Sequence, residues 1–511
     1  MGELLGLTGM PDWLAHRASV TPNRLALMFG DRQWTYAELD AAVQHTARKL
    51  ATLGAGPGNL VATLLHNSEY VPFVVHAMSR LGSTLVPLNI RLRPDEIAWQ
   101  IGDSGVKLLL VDALTAPHAI EARQRGGYDV TIISVDACLG DLRCLDDVAE
   151  SEAELRGWID PTAVHSIVYT SGTTGRPKGA MLTYANHWWN AMGSALNLGM
   201  TGNDRWLACM PLFHVGGMAI LLRSVIYGIT AVVHPSFDEH AVNRAIDEQG
   251  ITLISVVATM LQRMLVAHDG QPYPSTFRCA LLGGGPAPRP LLEECASLGI
   301  PVVQTYGLTE VGSQVATLAP EDALTRLGSA GKPLYPNELR IGDGDVPAGE
   351  PSEIQVRGPV VTVGYAGRPE ATAEAIQDGW LHTGDLGYLD DDGYLYVLDR
   401  RTDLIVSGGE NVYPAEVEAA LVAHPAVVEA GVIGIPDDAW GQAVVASVHL
   451  ATDSDVDQDE LKAFCRERLA GYKVPRQIRF SEPLPRNAAG KLLRRELRQM
   501  WLETAPDGRS G

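Results

Sequence analysis

Apolar residues come along this chain in two rhythms. Tyr36–Leu53 repeats them at three- and four-residue spacing, the period of a helix that buries one face. Thr35 precedes this stretch and Glu38 stands three residues later, a spacing that predicts a capping box at its start. Short unbroken apolar runs alternate with such segments. Leu60–Leu65, Thr84–Leu88, Val106–Val111 and Val130–Val135 read as buried strands, and Ala77–Leu81 as part of a helix.

The alternation resumes further on. Helices are predicted over Tyr184–Leu198, Glu239–Gln249 and Ala258–Val266, and strands over Trp206–Met210, Ala231–His234, Leu253–Val257 and Cys279–Leu282. From Ile354 to Leu398 the pattern shortens into strands and turns around Asp390-Asp391-Asp392-Gly393. The last hundred or so residues read as helix Pro414–Ala423, strands Val427–Ile435 and Ala443–Leu450, and helix Gln458–Leu469, with Ala505–Gly511 expected to be disordered. The fold class that follows is α/β: a large N-terminal domain of stacked α/β sheets with a β-rich subdomain, plus a small mobile α+β C-terminal domain. We place the domains at 1–400 and 401–511, because the polar cluster Asp399-Arg400-Arg401-Thr402-Asp403 separates two apolar strands.

Size and charge narrow the function. A chain of 511 residues exceeds what one hydrophobic core organises, which supports more than one domain. The net charge of −21 argues against nucleic acid as a partner, although the stretch from Lys462 to Arg498 holds eleven Lys/Arg against three Asp/Glu. Such a segment is a solvated face or a source of positive charge for a polyanionic ligand. No apolar run approaches the roughly 18 residues of a membrane span, and the N-terminus carries no secretory pattern. Six cysteines without a Cys-x-x-Cys pair argue against a zinc site or disulfide scaffold and fit a cytoplasmic protein.

The chemistry concentrates in polar islands at the ends of predicted strands, where ligand sites of parallel α/β sheets gather. The densest is Tyr169-Thr170-Ser171-Gly172-Thr173-Thr174-Gly175-Arg176-Pro177-Lys178-Gly179. Glycines let backbone N–H groups turn inward as an anion nest, the hydroxyls add donors and Lys178 adds a full charge. The reading is a loop for nucleotide phosphates; the plain alternative is a Gly/Thr-rich surface loop. A P-loop of the NTPase kind needs Ser or Thr after Gly-Lys, and here Pro177 precedes the lysine and Gly179 follows it. The other islands are Pro211–Gly217 with His214, Gly283-Gly284-Gly285, and Tyr306-Gly307-Leu308-Thr309-Glu310.

Tyr169–Gly179, Tyr306–Glu310, Thr383-Gly384-Asp385, Asp399-Arg400 and Asn487-Ala488-Ala489-Gly490-Lys491 stand in the order and spacing of the adenylate-forming enzymes, and over nearly its whole length the chain resembles that superfamily. The resemblance implies an acid–thiol ligase of the AMP-forming acyl-CoA synthetase type, using ATP, Mg²⁺ and coenzyme A. A carboxylate approaching ATP meets like charge, on the order of 4 kcal/mol per pair at about 4 Å and an effective dielectric of about 20, so the site must supply cations and N–H donors.

By resemblance, Thr170, Ser171, Gly172, Thr173, Thr174, Gly175 and Lys178 hold the departing phosphates, with Thr174 also counted as catalytic. Glu310 is the Mg²⁺ ligand, Gly307 and Thr309 adjoin the phosphates, and Gly283, Gly284, Gly285 and Tyr306 form the adenine slot. Asp385 and Arg400 take the ribose, and Lys491 bridges the attacking carboxylate and the α-phosphate. Gly408 and Gly409 make room for the pantetheine arm of CoA. Thr402 stands at the superfamily's hinge position, where many members carry Asp or Lys.

Phe237–Leu265, Leu281–Pro290 and Ser407–Pro414, together with His214 and Arg223, resemble more narrowly the branch that acts on 2-succinylbenzoate in menaquinone biosynthesis. After Glu310, where that branch has Thr-Cys, this chain has Val311-Gly312. The implied acyl pocket is lined by Gly216, Gly217, Gly284 and Gly312, with His214, Thr259, Gln304 and Ser313 as polar contributors, and His214 also as a candidate catalytic or gating group. A CoA ligase for another aromatic or medium-chain acid is the alternative. A carrier-protein-loading enzyme and a non-catalytic adenylate binder are further readings, which Lys491 and Glu310 disfavour in the second case. The expected partners are small molecules only, with a homo-oligomer left open.

Overall fold

In a computed structural model, the structure describes residues 9–140, 142–171, 177–284, 289–323, 325–344, 346–399, 404–451, 454–481, 484–485, 492 and 494–503, without the side chains of Ser171, Arg289, Leu398, Asp399, Ala415 and Arg495. The expected disorder over Ala505–Gly511 falls outside these residues. They form two compact units. One comprises the chain up to Ile90, Ile97–Thr170 and Gly179–Leu398; the other comprises Arg91–Glu96, Ser171–Lys178 and the chain from Asp399 onward.

The first unit is built on two α/β sheets. A six-stranded sheet has the order Pro177–Thr183, Val164–Ser171, Thr84–Pro87, Leu60–Leu64, Leu108–Val111 and Thr131–Ser134. A nine-stranded sheet carries a central parallel run ordered Val302–Tyr306, Cys279–Leu282, Leu253–Val256, Arg205–Ala208, Thr230–Val233 and Leu25–Phe29. Leu108–Val111, Thr230–Val233, Leu253–Val256 and Cys279–Leu282 are buried at every position, which is why their sequences are nearly continuous apolar runs, broken only by Thr230 and Ser255, rather than alternating ones. A third, antiparallel sheet of Glu338–Ile341, Ser352–Arg357, Trp380–Leu389 and its neighbours is the expected β-rich subdomain.

Local signals place the helices. Thr35 Oγ1 accepts from the Glu38 N–H at 3.3 Å and Glu38 Oε2 accepts from the Thr35 N–H at 2.8 Å, so the capping box forms and the helix runs Tyr36–Thr52. Tyr184–Leu198 starts on a second box: Thr183 Oγ1 accepts from Asn186 N–H at 3.1 Å, and Asn186 Oδ1 from Thr183 N–H at 2.7 Å. The helix Val215–Tyr227 has no sequence expectation behind it. It is buried over most of its length and opens on two glycines, so it shows neither a polar face nor a cap to read.

In the second unit, Val427–Asp437 and Gly441–Leu450 pair antiparallel as its central hairpin, Ile405–Ser407 and Gln477–Phe480 flank the second strand of that pair, and helices Pro414–Val422 and Gln458–Arg466 accompany the sheet. One expectation changes. Cys138 and Cys144, six apart in a loop, are joined as a disulfide, so the cysteines are not all isolated; Cys209, Cys279, Cys295 and Cys465 are free and buried.

Candidate active site

The order of the nine-stranded sheet gathers the polar islands. Val302–Tyr306, Cys279–Leu282, Leu253–Val256 and Arg205–Ala208 are consecutive parallel neighbours, so the segments after them emerge along one edge. These segments carry Gly307–Ser313, Gly283-Gly284, Thr259 and His214 respectively. Gln304 lies buried within the first of these strands. A sequence spread over a hundred residues thus becomes one rim.

The loop after Tyr306 is the most constrained part of that rim. A Cβ on Gly307 would sit 1.5 Å from the Ser313 carbonyl oxygen, so only glycine permits the loop to close on itself there. The Val315 N–H donates to the Tyr306 carbonyl at 2.9 Å and seals the base. Between these points Thr309–Val311 make one 3₁₀ turn, and Gly312 and Ser313 take φ of +68° and +135°. A serine in that region is strained, and such strain persists only where the surroundings hold it.

Two tyrosines tie this loop to the β-rich sheet. Tyr306, buried, donates its hydroxyl to Asp385 Oδ2 at 2.7 Å. Asp385 is fixed in turn: its N–H donates to Thr383 Oγ1 at 3.1 Å, and that hydroxyl donates to the Ile354 carbonyl at 2.6 Å. Glu310 is also buried. Its Oε1 accepts from the Tyr365 hydroxyl at 2.9 Å, and its backbone carbonyl accepts from the Thr362 N–H at 2.7 Å. Among the described residues no Lys or Arg pairs with this carboxylate. A buried carboxylate held by a neutral hydroxyl, with no counter-cation, suits a hard divalent ion such as Mg²⁺.

The remaining positions divide clearly. A Cβ on Gly283 would approach Thr305 Cγ2 to 2.9 Å, and one on Gly284 would approach Val257 Cγ1 to 2.9 Å, so neither position accepts a side chain without movement. Gly312 faces His187, whose Nδ1 would lie 3.8 Å from a Cβ there. Burial drives the His187 pKa well below its ordinary value, so the imidazole is neutral, and its Nε2 lies 3.2 Å from Ser166 Oγ. His214 is the N-cap of Val215–Tyr227, half-buried and beside the Phe213 ring at 4.6 Å. Gly216 lies next to Met210, and Gly217 packs so closely on Pro211 that a Cβ would be 2.4 Å from its carbonyl oxygen. Thr259 is half-buried in the first turn of Ala258–Ala267.

Thr170 is the penultimate residue of the strand that leads into the phosphate loop, and Lys178 is the second residue of Pro177–Thr183. Asp103 anchors the entering strand, with Tyr169 donating to its Oδ2 at 2.9 Å and Arg368 bonding its Oδ1. Sequence reading passed over Asp103, Tyr365 and His187, because each acts through a partner more than 20 residues away. Gly172, Thr173, Thr174, Gly175, Gly285, Arg400, Thr402 and Lys491, with the Ser171 side chain, lie outside the described residues.

In the second unit, Gly408 and Gly409 form the two-residue turn between Ile405–Ser407 and Glu410–Val412, with φ of +58° and +82°. Both central residues at positive φ give the turn whose twist suits a tight hairpin. A Cβ on Gly408 would lie 2.5 Å from Trp440 Cε3, and the Gly408 N–H donates to the Trp440 carbonyl at 2.8 Å. The Arg476 guanidinium stacks 4.3 Å from the centroid of the same indole.

Residues 14–366 match the family model for AMP-binding enzymes, and residues 416–491 match that for the AMP-binding enzyme C-terminal domain. The chain is 52% identical over 500 residues to a 2-succinylbenzoate–CoA ligase of Geobacillus kaustophilus, covering 98% of this chain and 99% of that one. An o-succinylbenzoate CoA synthetase from Bacillus subtilis, a double mutant bound with a product analogue, matches with a TM-score of 0.89 and 44% identity over 96% of this chain and 99% of that one. The same B. subtilis enzyme in complex with ATP and a magnesium ion matches with a TM-score of 0.72 and 44% identity, covering 96% and 100%.

Proposed function

The chain belongs to the AMP-binding enzymes, the family that holds the two succinylbenzoate ligases it resembles, and from that membership we propose that it joins 2-succinylbenzoate to coenzyme A through an acyl-adenylate, using ATP and Mg²⁺. The observation that carries the reading is the loop Tyr306–Val315. It holds the nucleotide-side clasp Tyr306–Asp385 and the buried carboxylate of Glu310 on one turn, and leads directly into Gly312 and Ser313 on the acyl side.

In this reading an oxygen of the substrate carboxylate attacks the α-phosphorus, the bond to the bridging oxygen breaks, and pyrophosphate leaves. Thr170, Ser171, Thr173, Thr174 and Lys178 hold the departing phosphates and Asp385 accepts from the ribose hydroxyls. Glu310 would hold the metal ion, which would supply charge neutralisation for the phosphates. Lys491 bridges carboxylate and α-phosphate while that transition state forms, and its charge is needed only then. The thiol of CoA, its arm lying along Gly408-Gly409, next attacks the acyl carbon; the C–S bond forms, AMP leaves with the C–O electron pair, and the thiol proton passes to solvent. Glycines at 216, 284 and 312 leave room for the aromatic ring, and Thr259, Gln304, Ser313 and His214 supply polar contacts for the rest of the acid. We divide the two domains after residue 400 and place the reaction in the cytosol, with small molecules as its partners.

Acid-dependent exchange of labelled pyrophosphate into ATP, run across a panel of acids and followed by CoA addition, tests this. We expect strong exchange and thioester formation with 2-succinylbenzoate. Turnover of benzoate or octanoate without turnover of 2-succinylbenzoate would overturn the substrate and leave the ligase class; no exchange with any acid would overturn both.

A further inference from the structure

The helix Tyr184–Leu198, which follows the phosphate loop in sequence, presents two asparagines one turn apart, Asn186 and Asn190, and both are buried. Asn186 completes its own helix cap through Oδ1 and turns its Nδ2 toward the carbonyls of Pro359 and Val361, at 2.8 and 2.9 Å. The next residue, Thr362, donates its N–H to the backbone carbonyl of Glu310. Asn190 turns its Nδ2 toward the carbonyls of Val311 and Gln314, at 3.0 and 2.8 Å. Those two carbonyls bracket Gly312 and Ser313, the residues at positive φ.

Asn190 has no freedom to flip. Its Oδ1 accepts from Nη2 of Arg223, which reaches it from the helix Val215–Tyr227 and lies 5.6 Å from the Trp206 ring centroid. A guanidinium only donates, so the amide oxygen must face Arg223 and both amide hydrogens must face the loop. Arg223 is itself buried, and among the described residues no carboxylate pairs with it, so its hydrogen bond to Asn190 is one neither side can exchange for water.

We infer that Asn190, oriented by Arg223, is a positioning residue that sets the backbone on the C-terminal side of Glu310 and thereby couples the metal-side carboxylate to the acyl-side turn Gly312-Ser313. This rests on the reading of Glu310 as the metal ligand. Groups that orient a metal ligand typically change metal affinity or activity about 10- to 100-fold when altered. Asn190→Asp retains size and an acceptor for Arg223 but loses both donors to the loop; Asn190→Ser removes the amide without adding charge.

The experiment measures pyrophosphate exchange as a function of Mg²⁺ for wild type, Glu310→Gln, Asn190→Asp and Asn190→Ser, each checked for folded content by circular dichroism and thermal melting. The expected result is a half-saturating Mg²⁺ concentration raised about 10-fold or more in whichever Asn190 variant folds, together with a higher KM for the acid. A purely structural role would lower the amount of active enzyme without moving either value, and that outcome overturns the inference, as does failure of both variants to fold. If Glu310→Gln leaves the Mg²⁺ dependence unchanged, the metal-ligand reading falls and the inference with it. If Glu310→Gln shifts it and the folded Asn190 variants do not, only the inference falls.

Discussion

Two loops in this protein carry glycines at positive φ or at positions where a Cβ would collide with a neighbour, and they are held in opposite ways. Tyr306–Val315, in the large unit, is anchored by side chains from elsewhere: Asp385 on Tyr306, Tyr365 on Glu310, and Asn190 on the carbonyls of Val311 and Gln314. Ser407–Glu410, in the C-terminal unit, is a two-residue hairpin turn set by its own backbone and backed by the indole of Trp440. The first arrangement suits a step in which fixed charges must meet a developing transition state, since electrostatic stabilisation depends on groups already in place. The second is a glycine turn packed against an indole and carries no charged side chain of its own at Gly408-Gly409, which fits the proposed role beside a flexible thiol arm better than stabilisation of charge.

The sharpest way to break this contrast is Gly307→Ala. Its Cβ would need the space of the Ser313 carbonyl, 1.5 Å away, so the whole turn must move. Misplacement of about 1 Å can cost on the order of 100-fold, and we expect pyrophosphate exchange to fall by at least that much. Gly408→Ala should do the reverse. It strains a residue at φ +58° and presses on Trp440, so thioester formation should drop about tenfold or more while exchange stays within a few-fold of wild type. Equal loss of both half-reactions in either variant would erase the distinction between the loops.

Tyr365→Phe is a smaller perturbation that sharpens the first loop alone. It removes one hydroxyl from a buried carboxylate, about 1.5–3 kcal/mol for a hydrogen bond to a charged group, and should slow exchange about 10- to 100-fold with little effect on melting temperature. The least effect on chemistry is expected from the scaffold beneath the rim. Asp204 takes bonds from Arg278 at 2.9 and 2.6 Å, from the Thr201 N–H at 2.8 Å and from Thr252 at 2.8 Å. Burial would raise its pKa, but these donors outweigh that and hold it below the ordinary value. A depressed carboxylate stabilises the fold above its unfolded pKa of about 4 and loses that contribution as pH falls through the folded value. Asp204→Asn should therefore lower the melting temperature near neutral pH, narrow the gap to wild type as pH falls below about 4, and leave the ratio of the two half-reactions unchanged.

Much of the frame was legible because its causes are local. The capping box at Thr35 and Glu38 lies within four residues, and strands such as Leu253–Val256 announce themselves by being buried on both faces. Val215–Tyr227 was not legible, since a helix surrounded by protein has no polar face to set its period. The cysteine spacing misled for a similar reason: Cys138 and Cys144 meet because of a loop conformation, which no spacing rule encodes.

The same boundary runs through the site. By itself the sequence carried the reaction class through resemblance, because Tyr169–Gly179, Tyr306–Glu310 and Asn487–Lys491 stand in the order and spacing of the adenylate-forming enzymes, whereas their residue types alone pointed only to a loop for nucleotide phosphates. Only the tertiary structure decided how Tyr169, Tyr306 and Glu310 are held. Tyr365, Asp103, Asn190 and Arg223 lie tens to hundreds of residues from what they position, in ordinary surroundings of sequence. A hydrogen bond is specified by three-dimensional approach and not by neighbours in the chain, so the anchors of Glu310 became visible only when sheet order and helix packing brought them to it.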